Sequence, residues 1–141
     1  MSLKSQLYKS IRSMPSCIAG GYIDLEKEEL VAMLAVEYYP KDKLERLVGI
    51  TEDLFQGQNV RMIENIFKQT RGQNAEHRHL FQEIVVTADD MMHIYLRGSA
   101  NNNHIISFIN AKTDNLVFSL TKARAEVCKL EAALRADKEH R

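Results

Sequence analysis

From His104 to Leu130 the chain reads HIISFINAKTDNLVFSLTKARAEVCKL: a short apolar run, a polar turn, then a long stretch with helical spacing. Ile105, Ile106, Phe108 and Ile109 form a β-branched and aromatic run, which predicts a strand. Thr113, Asp114 and Asn115 are residue types that cap helix N-termini, because their side-chain oxygens accept from otherwise unbonded amides. Beyond them Leu116, Leu120, Ala123, Val127, Leu130 and Leu134 recur three or four residues apart, with Lys122, Arg124, Glu126, Lys129 and Glu131 around them. That spacing gives one apolar face, which has to be laid on another surface. The strand that hands over to the helix supplies it, so the predicted unit is a strand, a cap and a helix folded back on a sheet.

The same reading extends upstream. Leu3, Leu7, Ile11 and Met14, with Lys4, Lys9 and Arg12 between them, predict a short amphipathic helix stopped by Pro15. CIAGGYIDL and ELVAMLAVEYY are strand-like runs separated by the charged turn EKEE and closed by Pro40, and they predict a hairpin. From Lys41 to Gln69 the pattern becomes helical, with Leu44, Leu47, Val48, Leu54, Phe55, Met62, Ile63, Ile66 and Phe67 tracing one face. Gly57 costs about 1 kcal/mol inside a helix. The apolar face resumes beyond it, which predicts one long or slightly broken helix, followed by RGQNAEHRH as a loop. LFQEIVVTA, MMHIYLRG and HIISFINAK then predict a three-strand meander. A two-residue turn at Asp89 and Asp90 puts Phe81, Val85, Thr87, Met92, Ile94 and Leu96 on one face and Ile84, Val86, Met91 and Tyr95 on the other. Both faces are apolar, so both need covering. The expected fold is α+β, a five-stranded antiparallel sheet with helices on both faces, in the order helix, two strands, helix, three strands, helix. It is expected as a single domain over residues 1–141.

Composition narrows the function classes. With 45% hydrophobic and 27% charged residues and a formal net charge of zero, the chain lacks the overall positive charge that drives phosphate-backbone binding, so no nucleic acid partner is expected. No run approaches about 18 apolar residues and MSLKSQLYKS lacks a signal-peptide core, so neither a membrane span nor a secretory leader is expected. Cys17 and Cys128 are not in CxxC spacing and read as buried, reduced core residues of a cytoplasmic protein.

Enzyme chemistry finds little to work with. His77 and His79, with His93 and Glu76 or Glu83, are the one conceivable metal-ligand set, but no HExxH-type spacing supports it. The alternating charges of DLEKEE read as a solvated turn rather than as paired catalytic carboxylates. IAGG lacks the GxxxxGK[ST] or GxGxxG pattern and precedes a strand, so it is no phosphate cradle. No catalytic, cofactor-binding or metal residue is assigned, and no cofactor is expected. The basic first helix and the run Lys68, Arg71, His77, Arg78 and His79 are the only charge asymmetries, and solvated faces account for them.

The element order, the long middle helix and the handover INAKTDNLVFSLTKARAEV resemble the roadblock/LC7 family, whose closing helix opens with an Asn-Leu pair and carries Leu and Ala-Arg further on. The matching positions are Asn115, Leu116, Leu120, Ala123 and Arg124. The chain departs from the family at its first hairpin, where DLEKEE replaces an Asp-x-x-Gly type turn. The resemblance implies a profilin-like fold and a homodimer in which the third strands join and the middle helices pack across a two-fold axis. The residues agree: LFQEIVVTA has no Pro, Gly or Lys to protect an edge, and Leu54, Phe55, Val60, Met62, Ile63 and Phe67 make a broad apolar arc. Leu54, Phe55, Met62, Ile63, Ile84, Val85 and Val86 are the candidate interface. The implied function is a non-catalytic interaction module that binds or regulates a small Ras-like GTPase, or an adaptor subunit. The alternative is a small-molecule sensing domain of profilin-like or PAS-like shape.

Overall fold

Five antiparallel strands form one sheet in the order β2-β1-β5-β4-β3. The computed structural model describes residues 2–36, 41–70, 81–111 and 115–139. In chain order the elements are α1 (Leu3–Ser13), β1 (Cys17–Asp24), β2 (Glu29–Ala35), α2 (Lys41–Gln56), α3 (Gln58–Thr70), β3 (Glu83–Thr87), β4 (Met91–Arg97), β5 (His104–Ala111) and α4 (Leu116–Glu139). The RGQNAEHRH segment and the cap candidates Thr113 and Asp114 lie outside the described residues.

α1 starts at Ser2, whose hydroxyl accepts from the Ser5 amide at 3.1 Å, and ends as predicted before Pro15. Its apolar stripe Leu3, Leu7, Ile11 is buried against β1, β2 and α4. Gly20 makes the approach possible, since a Cβ there would meet Leu7 and Ile11 side chains at 3.1 Å. Of the two glycines of IAGG, Gly20 is the one that lets the helix sit close on the strand.

The Asp89–Asp90 turn has the two residues expected: the Ala88 amide donates to the Met91 carbonyl, and Val85 pairs with Ile94 and Thr87 with Met92. That register splits the core in two. On one face Tyr22, Met92, Ile94, Leu96, Ile106 and Phe108 pack under α1 and α4. On the other Ile23, Tyr95 and Ile105 pack with Phe55 and Val48 of α2. α4 opens on Asn115, whose side-chain oxygen accepts from the Val117 amide at 2.9 Å, and buries Ala123, Val127, Leu130 and Leu134 as its spacing requires. Leu116 stays exposed. The cysteines correct the sequence reading in part. Cys17 is buried, and burial pushes its thiol up to about 11, whereas Cys128 lies on the outer side of α4.

The middle helix also differs from expectation. It breaks into α2 and α3 at Gly57, where a Cβ would lie only 2.6 Å from the Asp53 carbonyl oxygen. The apolar face does not resume in register. Phe55 and Glu64 are both buried, yet at 3.6 residues per turn they would lie about 180° apart on a straight helix. The break turns the second half of the helix over.

Candidate functional site

α3 buries a charge and leaves its large apolar side chains in solvent. Met62 is 55% exposed, Ile63 43%, Ile66 59% and Phe67 45%, while Glu64 is 4% exposed. A surface helix ordinarily hides its apolar stripe and wets its charges. Here the charged residue is inside.

The reason lies in β4. Arg97 is almost fully buried at the end of that strand. Its Nε donates to the Phe81 carbonyl at 2.8 Å and its Nη1 to the Asn102 carbonyl at 2.7 Å. The guanidinium also stacks 5.0 Å from the centroid of Phe55, a cation–π arrangement strengthened where water is excluded. Burial pulls the guanidinium below its ordinary range, and the Glu64 carboxylate opposes that shift. A buried cation needs a compensating charge. Glu64 supplies it, and so α3 turns Glu64 inward and leaves Met62, Ile63, Ile66 and Phe67 outward.

β3 lies at the edge of the sheet next to β4. Among the described residues nothing pairs with its outer side, and the strand EIVVT has no edge protection. Its Glu83 points to the α4 face, where Arg124 grips it through two hydrogen bonds of 2.5 and 2.6 Å. Val86 is exposed, and Ile84 and Val85 are half-buried. Of the seven residues predicted to form an interface, Met62, Ile63 and Val86 are therefore open to a partner. Leu54 is half-buried with the α2 core, and Phe55 is fully enclosed in it beside Tyr95 and Arg97. Phe55 belongs to the interior of the chain itself, because the break at Gly57 separates it from the outward face of α3.

The conceivable metal set does not assemble where it can be followed. Glu76, His77 and His79 fall outside the described residues, and His93 and Glu83 occupy opposite faces of the sheet. His93 instead stacks on Tyr95 at 4.1 Å, with its Nδ1 3.0 Å from the Tyr95 hydroxyl and its Nε2 2.6 Å from Ser107 Oγ. Burial holds this imidazole down at about 4 and pushes the Tyr95 phenol up to about 12. The Ser–His contact has the distance of a nucleophile–base pair, but Ser107 is itself buried, so its hydroxyl is closed to a substrate. Among the described residues no group of three or more His, Cys, Asp or Glu is placed to hold a metal ion, and no helix is long and apolar enough to cross a membrane.

Comparison with solved structures decides the architecture. "MglB with tetrameric arrangement" superposes with a TM-score of 0.65 at 18% identity over 97% of this chain and 88% of that one. A roadblock/LC7 domain from Streptomyces avermitilis superposes with a TM-score of 0.64 at 11% identity over 99% of both chains. The chain has the roadblock/LC7 fold. The gliding protein MglB of Thermus thermophilus gives the same picture, with a TM-score of 0.64 at 18% identity over 97% of this chain and 89% of that one. No protein-family model matches the sequence, and no curated protein does. The likeness to the roadblock fold is thus carried by the topology. Neither Arg97 nor Glu64 was singled out by sequence reasoning. Glu64 reads as a solvated charge within an apolar helix, and only the packing shows it inside.

Proposed function

We propose that this protein is a non-catalytic, homodimeric interaction module, a single roadblock-type domain that binds or regulates a small Ras-like GTPase. The observation that carries the proposal is what α3 buries and what it exposes. Met62, Ile63 and Ile66 of α3 are displayed to solvent while Glu64, whose charge acts on Arg97, is buried, and the edge of β3 is left unprotected. A self-complementary patch of this kind is what a two-fold contact requires. Joining β3 to its copy satisfies the open edge, and packing α3 on its copy removes the apolar side chains from water. The solved structures of MglB, one of them described in a tetrameric arrangement, support self-association on this fold. The GTPase partner rests on the resemblance to the roadblock family. No phosphate loop accompanies it in the sequence, so any effect on hydrolysis comes from rearranging the GTPase's own groups or from a side chain offered in trans.

Sedimentation equilibrium at micromolar concentration tests the assembly. The expected mass is twice the 16.2 kDa of the chain, and a monomer throughout the range would remove the basis of the proposal. Calorimetry against candidate GTPases loaded with GDP or a non-hydrolysable GTP analogue tests the partner. A regulator binds the two states unequally, because only differential affinity moves a conformational equilibrium. Equal affinities would reduce the protein to a passive scaffold.

A further inference from the structure

On the sheet face opposite α2, the C-terminal half of α4 and the β4–β5 loop enclose a cleft of about 220 Å³, with Tyr22 and His104 on its floor and Glu131, Leu134, Arg135 and Lys138 along α4. A second hollow of about 140 Å³ shares Leu134 and Lys138 and reaches Asp24. The floor is a buried polar chain. The Tyr22 hydroxyl is 2.6 Å from His104 Nδ1, and His104 Nε2 is 3.5 Å from Asp24 Oδ2. This arrangement fits a neutral imidazole that accepts the tyrosine proton at Nδ1 and directs Nε2–H toward the carboxylate.

Glu131 in the cleft and Asp24 beneath its floor are already occupied by the protein's own donors, and Asp137 of the neighbouring hollow, which Glu29 also lines, accepts from the Leu3 amide at 2.8 Å. Asp24 accepts from the amides of Glu26 and Lys27 at 3.0 and 3.2 Å. Glu131 accepts from those of Ser99, Ala100 and Asn101 at 2.9, 2.9 and 3.1 Å. The cations are in the opposite condition. Among the described residues Arg135 and Lys138, both exposed on α4 at the mouth, make no hydrogen bond or ion pair. What the cleft has left to offer a ligand is therefore positive charge at its rim and a protonatable imidazole at its base.

We propose that this cleft binds a small molecule bearing one oxyanion group, a phosphate or a carboxylate, held by Arg135 and Lys138 with Tyr22 and His104 beneath it. Its volume is below the roughly 300–1,000 Å³ of cofactor pockets, which favours a compact ligand. Binding is coupled to a proton. Burial and the Lys138 charge hold His104 below its ordinary value against the opposing pull of Asp24 and Glu131, and an anion above the ring favours the imidazolium. The site lies away from α3 and the edge of β3, so it functions whether or not two copies associate.

The test is a titration of the full chain with inorganic phosphate and, separately, with succinate at constant ionic strength, followed by amide and imidazole NMR. Saturating shifts are expected at Ala100, Asn101 and the His104 ring, with the titration midpoint of His104 moving up. Arg135→Gln and Lys138→Gln, both at exposed positions, are each expected to weaken binding about tenfold, the loss of one charge-assisted hydrogen bond. Saturation by phosphate alone assigns a phosphate ester as the ligand class, and saturation by succinate alone assigns a carboxylate. Shifts that grow without saturating, or that survive unchanged in the double variant, would overturn the proposal.

Discussion

Phe55 and Glu64 are nine residues apart and both buried, which a straight helix does not allow for residues half a turn out of phase. The intervening Gly57 resolves the conflict. Its missing side chain admits the Asp53 carbonyl oxygen to within 2.6 Å of where a Cβ would stand, and the chain restarts as α3 in a new phase. Core packing by α2 and outward display by α3 thus become compatible in one segment.

Gly57→Ala is expected to weaken both fold and assembly. Alanine gains up to about 1 kcal/mol of helix propensity, but only if α2 and α3 straighten, which would carry Glu64 away from Arg97 and strand a buried charge. Keeping the break forces the Asp53 carbonyl aside. Either route costs more than the propensity returns, so urea unfolding should show a net loss of about 1–2 kcal/mol. Sedimentation should show a larger monomer fraction. A variant of greater stability with unchanged association would show that the break is incidental.

Ile66→Asp and Phe55→Ala separate surface from core. Ile66 is exposed in the single chain, so a charge there should alter monomer stability by no more than about 0.5 kcal/mol while abolishing association. Phe55 is enclosed by Tyr95, Ile105 and Arg97, and its removal should cost about 3–5 kcal/mol. Denaturant unfolding and sedimentation on both variants check the division. An Ile66→Asp protein that unfolds would place α3 in the monomer core.

The first hairpin turns without the glycine that its resemblance to roadblock domains would suggest. Glu28 stands there with φ of 53°, a left-handed conformation that costs a residue with a Cβ about 1–2 kcal/mol, and Asp24 compensates by accepting the amides of Glu26 and Lys27. Glu28→Gly should therefore stabilise by about 0.5–1 kcal/mol, after the extra entropy of glycine in the unfolded chain. The midpoint of thermal unfolding should rise by about 2–4 °C. An unchanged or lower midpoint would mean that the Glu28 side chain makes a compensating contact.

What could be read from residues alone was whatever depends on local periodicity. The two-residue turn at Asp89 and Asp90 fixed which residues of β3 and β4 share a face, and the spacing from Ala123 to Leu134 fixed the buried side of α4. The edge position of β3 and its lack of protection were legible too. The phase of α3 was not, because Met62, Ile63, Ile66 and Phe67 continue the apolar face of Leu54 and Phe55 on an unbroken helical template, and only the packing around Arg97 shows Glu64 as the inward residue. The Asp24–His104–Tyr22 chain escaped for a similar reason. Its members lie on neighbouring strands far apart in sequence, and nothing in either segment marks them as partners.

His93 should set an acid limit on stability. Its imidazole is held at about 4 in the folded chain by burial, against about 6.5 when unfolded. The unfolded state therefore binds more protons between those values, and stability rises with pH across that interval. The contribution is complete above about 6.5, declines as pH falls toward 4, and is flat below. The full swing is about 3 kcal/mol. Protonation also disturbs the contacts of His93: a neutral ring accepts at one nitrogen and donates at the other, so with both nitrogens as donors whichever of the Tyr95 and Ser107 hydroxyls had donated to the ring has to turn and present a lone pair. Urea unfolding from pH 4 to 7.5 should show this slope in the wild type and a flatter one in His93→Gln. His104, also held down by burial, adds a slope of the same sign that persists in that variant. Equal slopes in the two proteins would show that His93 titrates in the fold as it does in the unfolded chain, and that the contacts with Ser107 and Tyr95 do not hold it neutral.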